Sequence, residues 1–453
     1  MKCSDSLSLV VVLASRQRIR LVLAACAIIL LIDAGYSRAQ VLNQQLVNML
    51  ANNCANLGGV GGSYGPHLNP ICQGAAGVPS AAGGGGASSL QTAAVSIFNR
   101  SILQRMEVER AESGQSGAAA SAMLANPFGV LMPGLFGSPG VATPGSPQSG
   151  TGSAMFNTAS SGRWHGVGFF ASGLVETLDR KIGTFQDGYK SSIHGFTVGA
   201  DYRMSKQSTV GLAFSYANTD GDFRSGGNFS TNAYTVTVFG SYYPTDRTFV
   251  QVNGAITINN FKVTRSTNLD FVAGGANGPI VGNSSSTSKG NVFRLGALTG
   301  YDHPIGMFTL GPRAGFNYSR TYIAGYEEQG TTGLELGYDA QYVESFQSVL
   351  GAQGSAAFST PVGVFVTQVN ADYIHEFENS QRFIFAHFVE DLKPSPTRFT
   401  FQNDVPVRNY FNLGTGLVAV LPGGFQPFIN FRAMVGNNQF HNYAGTFGVR
   451  AEL

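Results

Sequence analysis

An all-β chain that closes as an antiparallel transmembrane β-barrel of about twelve strands is what this sequence predicts, on three observations. From Trp164 to Leu453 the side chains sort with period two, the chain is poor in charge without being oily, and its N-terminus carries an export signal. The sorting is explicit in neighbouring segments. Tyr234, Val236, Val238, Gly240 and Tyr242 alternate with Thr235, Thr237, Phe239 and Ser241, and Val250, Val252, Gly254, Ile256 and Ile258 alternate with Gln251, Asn253, Ala255, Thr257 and Asn259. Successive side chains of a strand point to opposite faces, so one face of each segment suits hydrocarbon and the other water. Lipid offers no partner to a backbone N–H or C=O, and a closed barrel satisfies all of them with strands of about ten residues.

Composition agrees. Charged residues make up 12% of the 453 residues, against about 25% in soluble domains, while mean hydropathy stays near zero because the two faces cancel. A helical membrane protein would be far more apolar. A formal net charge of +2 is too near balance to point to nucleic acid or an acidic partner. The 59 Gly, 33 Phe and 17 Tyr suit strands that alternate small and aromatic side chains.

The export signal spans residues 1–39. Arg16, Arg18 and Arg20 form a basic lead, Leu21 to Ile32 an apolar run, and Ser37-Arg38-Ala39 a cleavage site with small residues at its outer positions, so the mature chain starts near Gln40. A second apolar patch, Leu7 to Ala14, precedes the arginines, and neither run reaches the length of a spanning helix. Leu23-Ala24-Ala25-Cys26 fits a lipoprotein cleavage box, but Ile28 to Ile32 continue the oily core where a lipoprotein turns polar. Of the 4 cysteines, Cys3 and Cys26 fall in this removable segment, and Cys54 and Cys72 remain as an even pair in an oxidising compartment. A single disulfide between them is the expected state, since His67 alone adds too few ligands for a metal.

Residues 40–112 form a short leading region. Within it, 88–112 reads as a helix, with Val95, Phe98, Ile102 and Met106 at steps of three and four and with Arg100, Arg105, Glu107, Glu109 and Arg110 as its charge. Its apolar stripe either packs on a small domain or partner, or lies in or under the barrel lumen. Residues 113–162 are rich in Gly, Ser, Ala and Pro and form a flexible linker without a core.

The barrel occupies 163–453. Strands are expected near Trp164–Leu174, Ile193–Met204, Ser208–Asp220, Thr231–Tyr243, Phe249–Thr264, Asn291–His303, Phe308–Tyr322, Glu344–Ser359, Gly363–Phe377, Tyr410–Val420, Phe425–Val435 and Phe440–Leu453. Tight joints at Pro244–Arg247, Pro304–Gly306, Thr360–Pro361 and Pro422–Gly424 alternate with longer connections at Val175–Ser192, Asp270–Gly290, Glu327–Val343 and Asn379–Arg408, as an up-and-down barrel inserted in one orientation demands. By the alternation Asp201, Arg203, Arg294, Arg313, Arg432, Arg450 and Glu452 point into the lumen, because a midplane Arg on the lipid face costs about 2–4 kcal/mol. There they brace the wall through salt bridges or contact a moving substrate.

Gly195-Phe-Thr-Val-Gly199-Ala-Asp201-Tyr-Arg203, followed by a turn and Gly211-Leu-Ala-Phe-Ser-Tyr216, resembles the second and third strands of autotransporter β-domains, the translocator units of type V secretion. Tyr318 to Tyr326, Leu336-Gly337-Tyr338 and Ser348-Val349-Leu350-Gly351 are similar to that family's central block, and Phe447 to Leu453 to its terminal strand. The resemblance implies an outer-membrane barrel that anchors or exports its own N-terminal segment, acts without catalysis, and is assembled by the barrel-assembly machinery with periplasmic chaperones. Tyr443, Phe447, Val449 and Leu453 share one face of the last strand, which resembles the signal that machinery reads; relatives commonly end in an aromatic residue, and this chain ends in Leu453. The family threads its helix through the pore and joins it almost directly to the first strand, whereas here the linker intervenes.

Catalytic chemistry leaves little trace. Gly61-Gly-Ser63-Tyr-Gly65 spells a nucleophile elbow, but no strand precedes it and no helix follows. No P-loop, dinucleotide fingerprint or zinc motif is present, so no cofactor is expected. The expected partners are the lipid bilayer and the assembly apparatus, with no nucleic acid and a monomeric barrel. The leading region is short for a passenger and lacks the repeats of a β-helix. A structural or narrow-pore barrel with a vestigial passenger, or an adhesin-like surface protein, is therefore the competing reading.

Overall fold

The computed structural model describes residues 166–183, 188–205, 207–224, 226–245, 247–269, 280–380, 382–402 and 404–452. The export signal, Cys54 and Cys72, the helix expected at 88–112, the linker and Leu453 lie outside the described residues.

Among the described residues seventeen strands follow one another: β1 (Val167–Arg180), β2 (Tyr189–Ser205), β3 (Ser208–Phe223), β4 (Gly227–Thr245), β5 (Thr248–Leu269), β6 (Ile280–Tyr301), β7 (His303–Ile305), β8 (Phe308–Ile323), β9 (Tyr326–Glu327), β10 (Leu336–Tyr338), β11 (Gln341–Thr360), β12 (Gly363–Glu376), β13 (Phe383–Phe388), β14 (Phe399–Gln402), β15 (Asn409–Val420), β16 (Phe425–Val435) and β17 (Phe440–Glu452). Twelve of them form a wall in the order β1-β2-β3-β4-β5-β6-β8-β11-β12-β15-β16-β17. The wall closes because β17 returns to β1, with pairs running from Gly168↔Glu452 to Arg180↔Phe440. Closure leaves no row of unpaired backbone groups, which is the condition for standing in lipid. Gly168 and Glu452 are partners, so the first and last wall strands begin and end on the side of the short turns.

The two faces differ as the period-two pattern requires. Thr237 and Thr257 are 0% and 2% exposed, whereas the adjacent Val238 and Ile256 are 61% and 59% exposed. Leu350, Ile429 and Phe447 are likewise exposed on the outer face. A continuous apolar exterior of this kind would drive aggregation in water and is covered by acyl chains in a bilayer. On the inner face Thr235 and Thr257 pair their hydroxyls, whose oxygens lie 2.8 Å apart. No helix among the described residues is long and apolar enough to cross a membrane, which says nothing of crossing by strands.

Two expectations change at the end of the barrel that carries the long connections. The loops placed at Val175–Ser192 and Asp270–Gly290 are largely strand, since β1 runs on to Arg180, β2 begins at Tyr189 and β6 begins at Ile280. Beyond the bilayer both faces of a hairpin meet water, so the alternation fades while the ladder hydrogen bonds continue. The connections at Glu327–Val343 and Asn379–Arg408 contain a second, four-stranded sheet in the order β14-β13-β10-β9. Its strands are two to six residues long, too short to show a period.

Candidate functional site

Among the described residues the inner face of the wall carries buried charge, and three bridges organise it. Arg450 on β17 donates from Nη2 to Asp201 Oδ1 at 2.5 Å and from Nε to Oδ2 at 3.0 Å. Asp201 sits on β2, so the bridge passes over β1, where Gly168 is the Cα partner of Asp201. A Cβ on Gly168 would stand 2.5 Å from Nη2 of Arg450 and 2.8 Å from Asp201 Oδ1. Glycine is therefore what lets the two side chains meet across an intervening strand.

The same device recurs on the far side of the barrel. Arg313 on β8 holds Asp372 on β12, with Nε to Oδ1 at 2.6 Å and a second bond from Nη2 to Oδ2. Gly351 on β11 is the partner of both, and a Cβ there would overlap the Asp372 carboxylate. The third bridge is looser. Glu176 on β1 accepts from Asn442 Nδ2 at 2.5 Å and faces Arg432 Nη2 at 3.9 Å, across the small Ala444 of β17. Two-point guanidinium–carboxylate contacts fix orientation as well as charge, and all six ionised side chains are at most a tenth exposed.

Of the lumen residues named from sequence, Asp201, Arg313, Arg432 and Arg450 are buried on the inner face and take part in these bridges. Arg203 and Arg294 are half-buried on β2 and β6. Glu452 ends β17 opposite Gly168, and its side chain lies outside the described residues. In the last strand Tyr443 and Phe447 point outward at 48% and 56% exposure and Val449 is half-buried. The sequence reading missed Glu176, Asp372 and Glu376, the last of which accepts from Ser345 Oγ at 2.6 Å and Gln347 Nε2 at 3.1 Å. Gln368, Asp372 and Glu376 share one parity on β12, which was signal enough to place all three inward.

Towards the long connections the inner face turns apolar. Leu178, Tyr189, Phe223, Phe229, Val263, Val349, Ile374, Tyr410, Met434 and Phe440, from ten wall strands, form one buried cluster. Above it the small sheet is tied to the inner side of the wall. Arg265 at the end of β5 donates to Glu328 at 2.5 and 3.1 Å and to the Leu334 carbonyl at 3.0 Å, and Arg180 at the end of β1 meets Asp404 at 3.3 Å. Leu334, Leu336, Ile384 and Ala386 give the sheet a small core of its own. Burial pushes the Glu335 carboxyl up, but hydrogen bonds from the Thr332 hydroxyl and backbone, from its own backbone N–H and from Ser284 outweigh this and hold it below the usual carboxylate range. No group of three His, Cys, Asp or Glu side chains is placed to hold a metal among the described residues.

Comparison with known proteins places this architecture. The model of the family described as autotransporter beta-domain matches residues 169–432. Outer membrane protein A of Rickettsia rickettsii is 26% identical over 260 residues, 56% of this chain and 11% of that protein. Lipase 1 of Photorhabdus luminescens is 20% identical over 280 residues, 62% of this chain and 41% of that protein. The chain thus spans well under half the length of these curated relatives. Among solved structures, the translocator domain of autotransporter NalP from Neisseria meningitidis superposes with a TM-score of 0.50 at 15% identity, covering 64% of this chain and 89% of that one. The closed twelve-strand wall and the family match lead to one conclusion: this chain belongs to the autotransporter β-domain family and carries its outer-membrane translocator barrel.

Proposed function

We propose that the barrel anchors or exports the chain's own N-terminal segment, residues 40–112, across the bacterial outer membrane without catalysis. The observation that carries this reading is the closed wall whose first strand is entered at the turn end, beside the chain's last wall residues. A segment upstream of β1 can reach the opposite side of the membrane only through the bore. Export is then passive, because no motif in the sequence supplies an energy source. The bridges at Asp201, Arg313, Arg432 and Arg450 hold the wall open against collapse, with Arg203, Arg294 and Glu452 as further polar groups along the lumen. Tyr443, Phe447, Val449 and Leu453 present the assembly machinery with its recognition strand, and chaperones deliver the unfolded chain. Cys54 and Cys72 close a disulfide once the segment reaches an oxidising compartment.

One observation favours a second reading. The apolar cluster and the small sheet narrow the bore towards the long connections, which suits a structural barrel whose passenger is vestigial. A membrane-impermeant reagent applied to intact cells carrying a tag within residues 40–87 separates the two. Labelling without permeabilisation is the expected outcome of export. Labelling only after the outer membrane is opened rejects export in favour of the structural barrel.

A further inference from the structure

The ladder between β6 and β8 is interrupted at the end of the barrel that carries the short turns. Gly300 pairs with Arg313 and His303 with Leu310, while Tyr301 and Asp302, opposite Pro312 and Gly311, fall between the two runs of pairs. Pro312 has no N–H to offer. The N–H of Asp302 turns away from β8 and donates to the Arg247 carbonyl at 2.7 Å, in the turn between β4 and β5. Gly311 makes room for the link, because a Cβ there would collide with the Tyr301 carbonyl.

Over that glycine the Asp302 side chain reaches a third strand. Gln353 on β11 is the partner of Gly311, and its Nε2 donates to Asp302 Oδ1 at 2.8 Å. The other atom of each group is left over, since Asp302 Oδ2 and Gln353 Oε1 are both buried and both lack a hydrogen-bond partner. With the carboxyl ionised, both are acceptors and neither can satisfy the other. One proton on Oδ2 changes that. It makes the carboxyl a donor to Oε1 while Oδ1 still accepts from Nε2, so the two groups share two parallel hydrogen bonds.

The surroundings favour the neutral form. Asp302 is 5% exposed, and the charges around it are engaged elsewhere. Arg313 on β8 holds Asp372 of β12, with Nη1 unpartnered, and Asn370, the neutral β12 partner of Gln353, donates to the same Asp372. Arg247 gives its carbonyl to the Asp302 N–H and points its guanidinium at the Tyr301 hydroxyl, 3.4 Å away. His303 is exposed and stacks on the Tyr301 ring. Asp302 itself lies in the link between β6 and β7, outside the spanning strands, and burial holds its carboxyl above the usual range against the opposing effect of the Gln353 hydrogen bond.

We propose that Asp302 and Gln353 form a proton-operated clasp that fastens the short-turn rim of the barrel across Gly311. The inference is independent of whether the N-terminal segment is exported. A carboxyl raised above its ordinary value of 3.8 holds its proton more tightly in the folded chain, so its contribution to stability is fully present below 3.8 and is lost as pH rises through the raised value. That sign is opposite to the one Glu335 gives the small sheet.

Urea unfolding of the full chain in uncharged octyl glucoside micelles, at about pH 3.5 and about pH 8, tests this with Asp302→Asn, whose amide supplies the missing donor at every pH. At the higher pH the variant should have the higher midpoint, its unfolding constant lying about tenfold below that of the native chain for each unit by which the carboxyl is raised. At the lower pH the gap should close. A variant less stable than the native chain at the higher pH overturns the proposal, because a bound cation or a required carboxylate would then hold the rim. So does a gap of equal size at both pH values, which would mark a hydrogen bond indifferent to the proton. Heat-modifiable migration verifies folding. If Asp302→Asn does not fold, Gln353→Glu decides: two carboxyls then share one proton, and the midpoint should fall more steeply with rising pH than in the native chain. An equal slope counts against the clasp.

Discussion

The wall and the small sheet above it are both antiparallel β-structure, yet they are specified in different ways. In the wall most strands pair with their neighbours in sequence, and faces are set by a pattern running along every strand. In the small sheet β10 pairs with β13, so that Leu336 meets Phe388 and Tyr338 meets Ala386, across a hairpin of the wall. Its strands are too short to carry a period, and its position comes from Arg265 on Glu328 and Arg180 on Asp404. The difference teaches that alternation suffices where lipid and a lumen define two faces. Where water surrounds the structure, individual buried charges take over.

The sharpest way to break that comparison is to remove one member of a buried pair in each region. Asp201→Ala strands Arg450 without its carboxylate, and losing one partner of a buried pair costs about 3–5 kcal/mol. The urea midpoint of the whole barrel in detergent should fall accordingly, because this bridge straddles the β17–β1 seam. Glu328→Gln removes the corresponding charge from the small sheet. There we expect faster proteolysis within residues 327–343 and an unchanged barrel midpoint. An equal drop in midpoint for both variants would show that wall and sheet unfold as one unit.

Next in size is a test of the faces themselves. Ile256→Arg places a cation on the lipid face and should destabilise the folded barrel in bilayers by about 2–4 kcal/mol, whereas Asn260→Arg, beyond the apolar margin, should cost about 0–1 kcal/mol. Equal effects at the two positions, measured by unfolding from vesicles, would place the hydrocarbon boundary elsewhere.

The smallest effect concerns pH. The Glu335 carboxyl is held below its ordinary value of 4.5, so it favours the folded small sheet at pH above that value and this contribution is lost as pH falls through the lowered value. Protease sensitivity of residues 327–343 should therefore rise on acidification below about pH 4.5 in the native chain and stay flat in Glu335→Gln. A native chain as resistant at pH 3 as at pH 7 would sink the assignment.

Much of the wall was legible because period two is a local property. The expected strand Phe425–Val435 coincides with β16, and Ser208, Phe308, Gly363 and Phe440 each open the strand they were expected to open. Strand ends near the long connections were not legible, since Val175–Arg180 and Ile280–Gly290 keep their ladder without a lipid face to write a pattern. Asp201, Arg313, Arg432 and Arg450 could be assigned a face, but not a partner. Parity tells where a side chain points and is silent about what it meets.

By itself the sequence determined a barrel of twelve wall strands with an apolar exterior, because each side chain's direction follows from its own position along the strand. Only the tertiary structure decided that Arg450 reaches Asp201, 249 residues away, over Gly168, and that Arg313 reaches Asp372 over Gly351. Those bridges depend on the register of three strands at once and on a missing Cβ in the middle one. Register across non-adjacent segments comes into being only when the sheet closes.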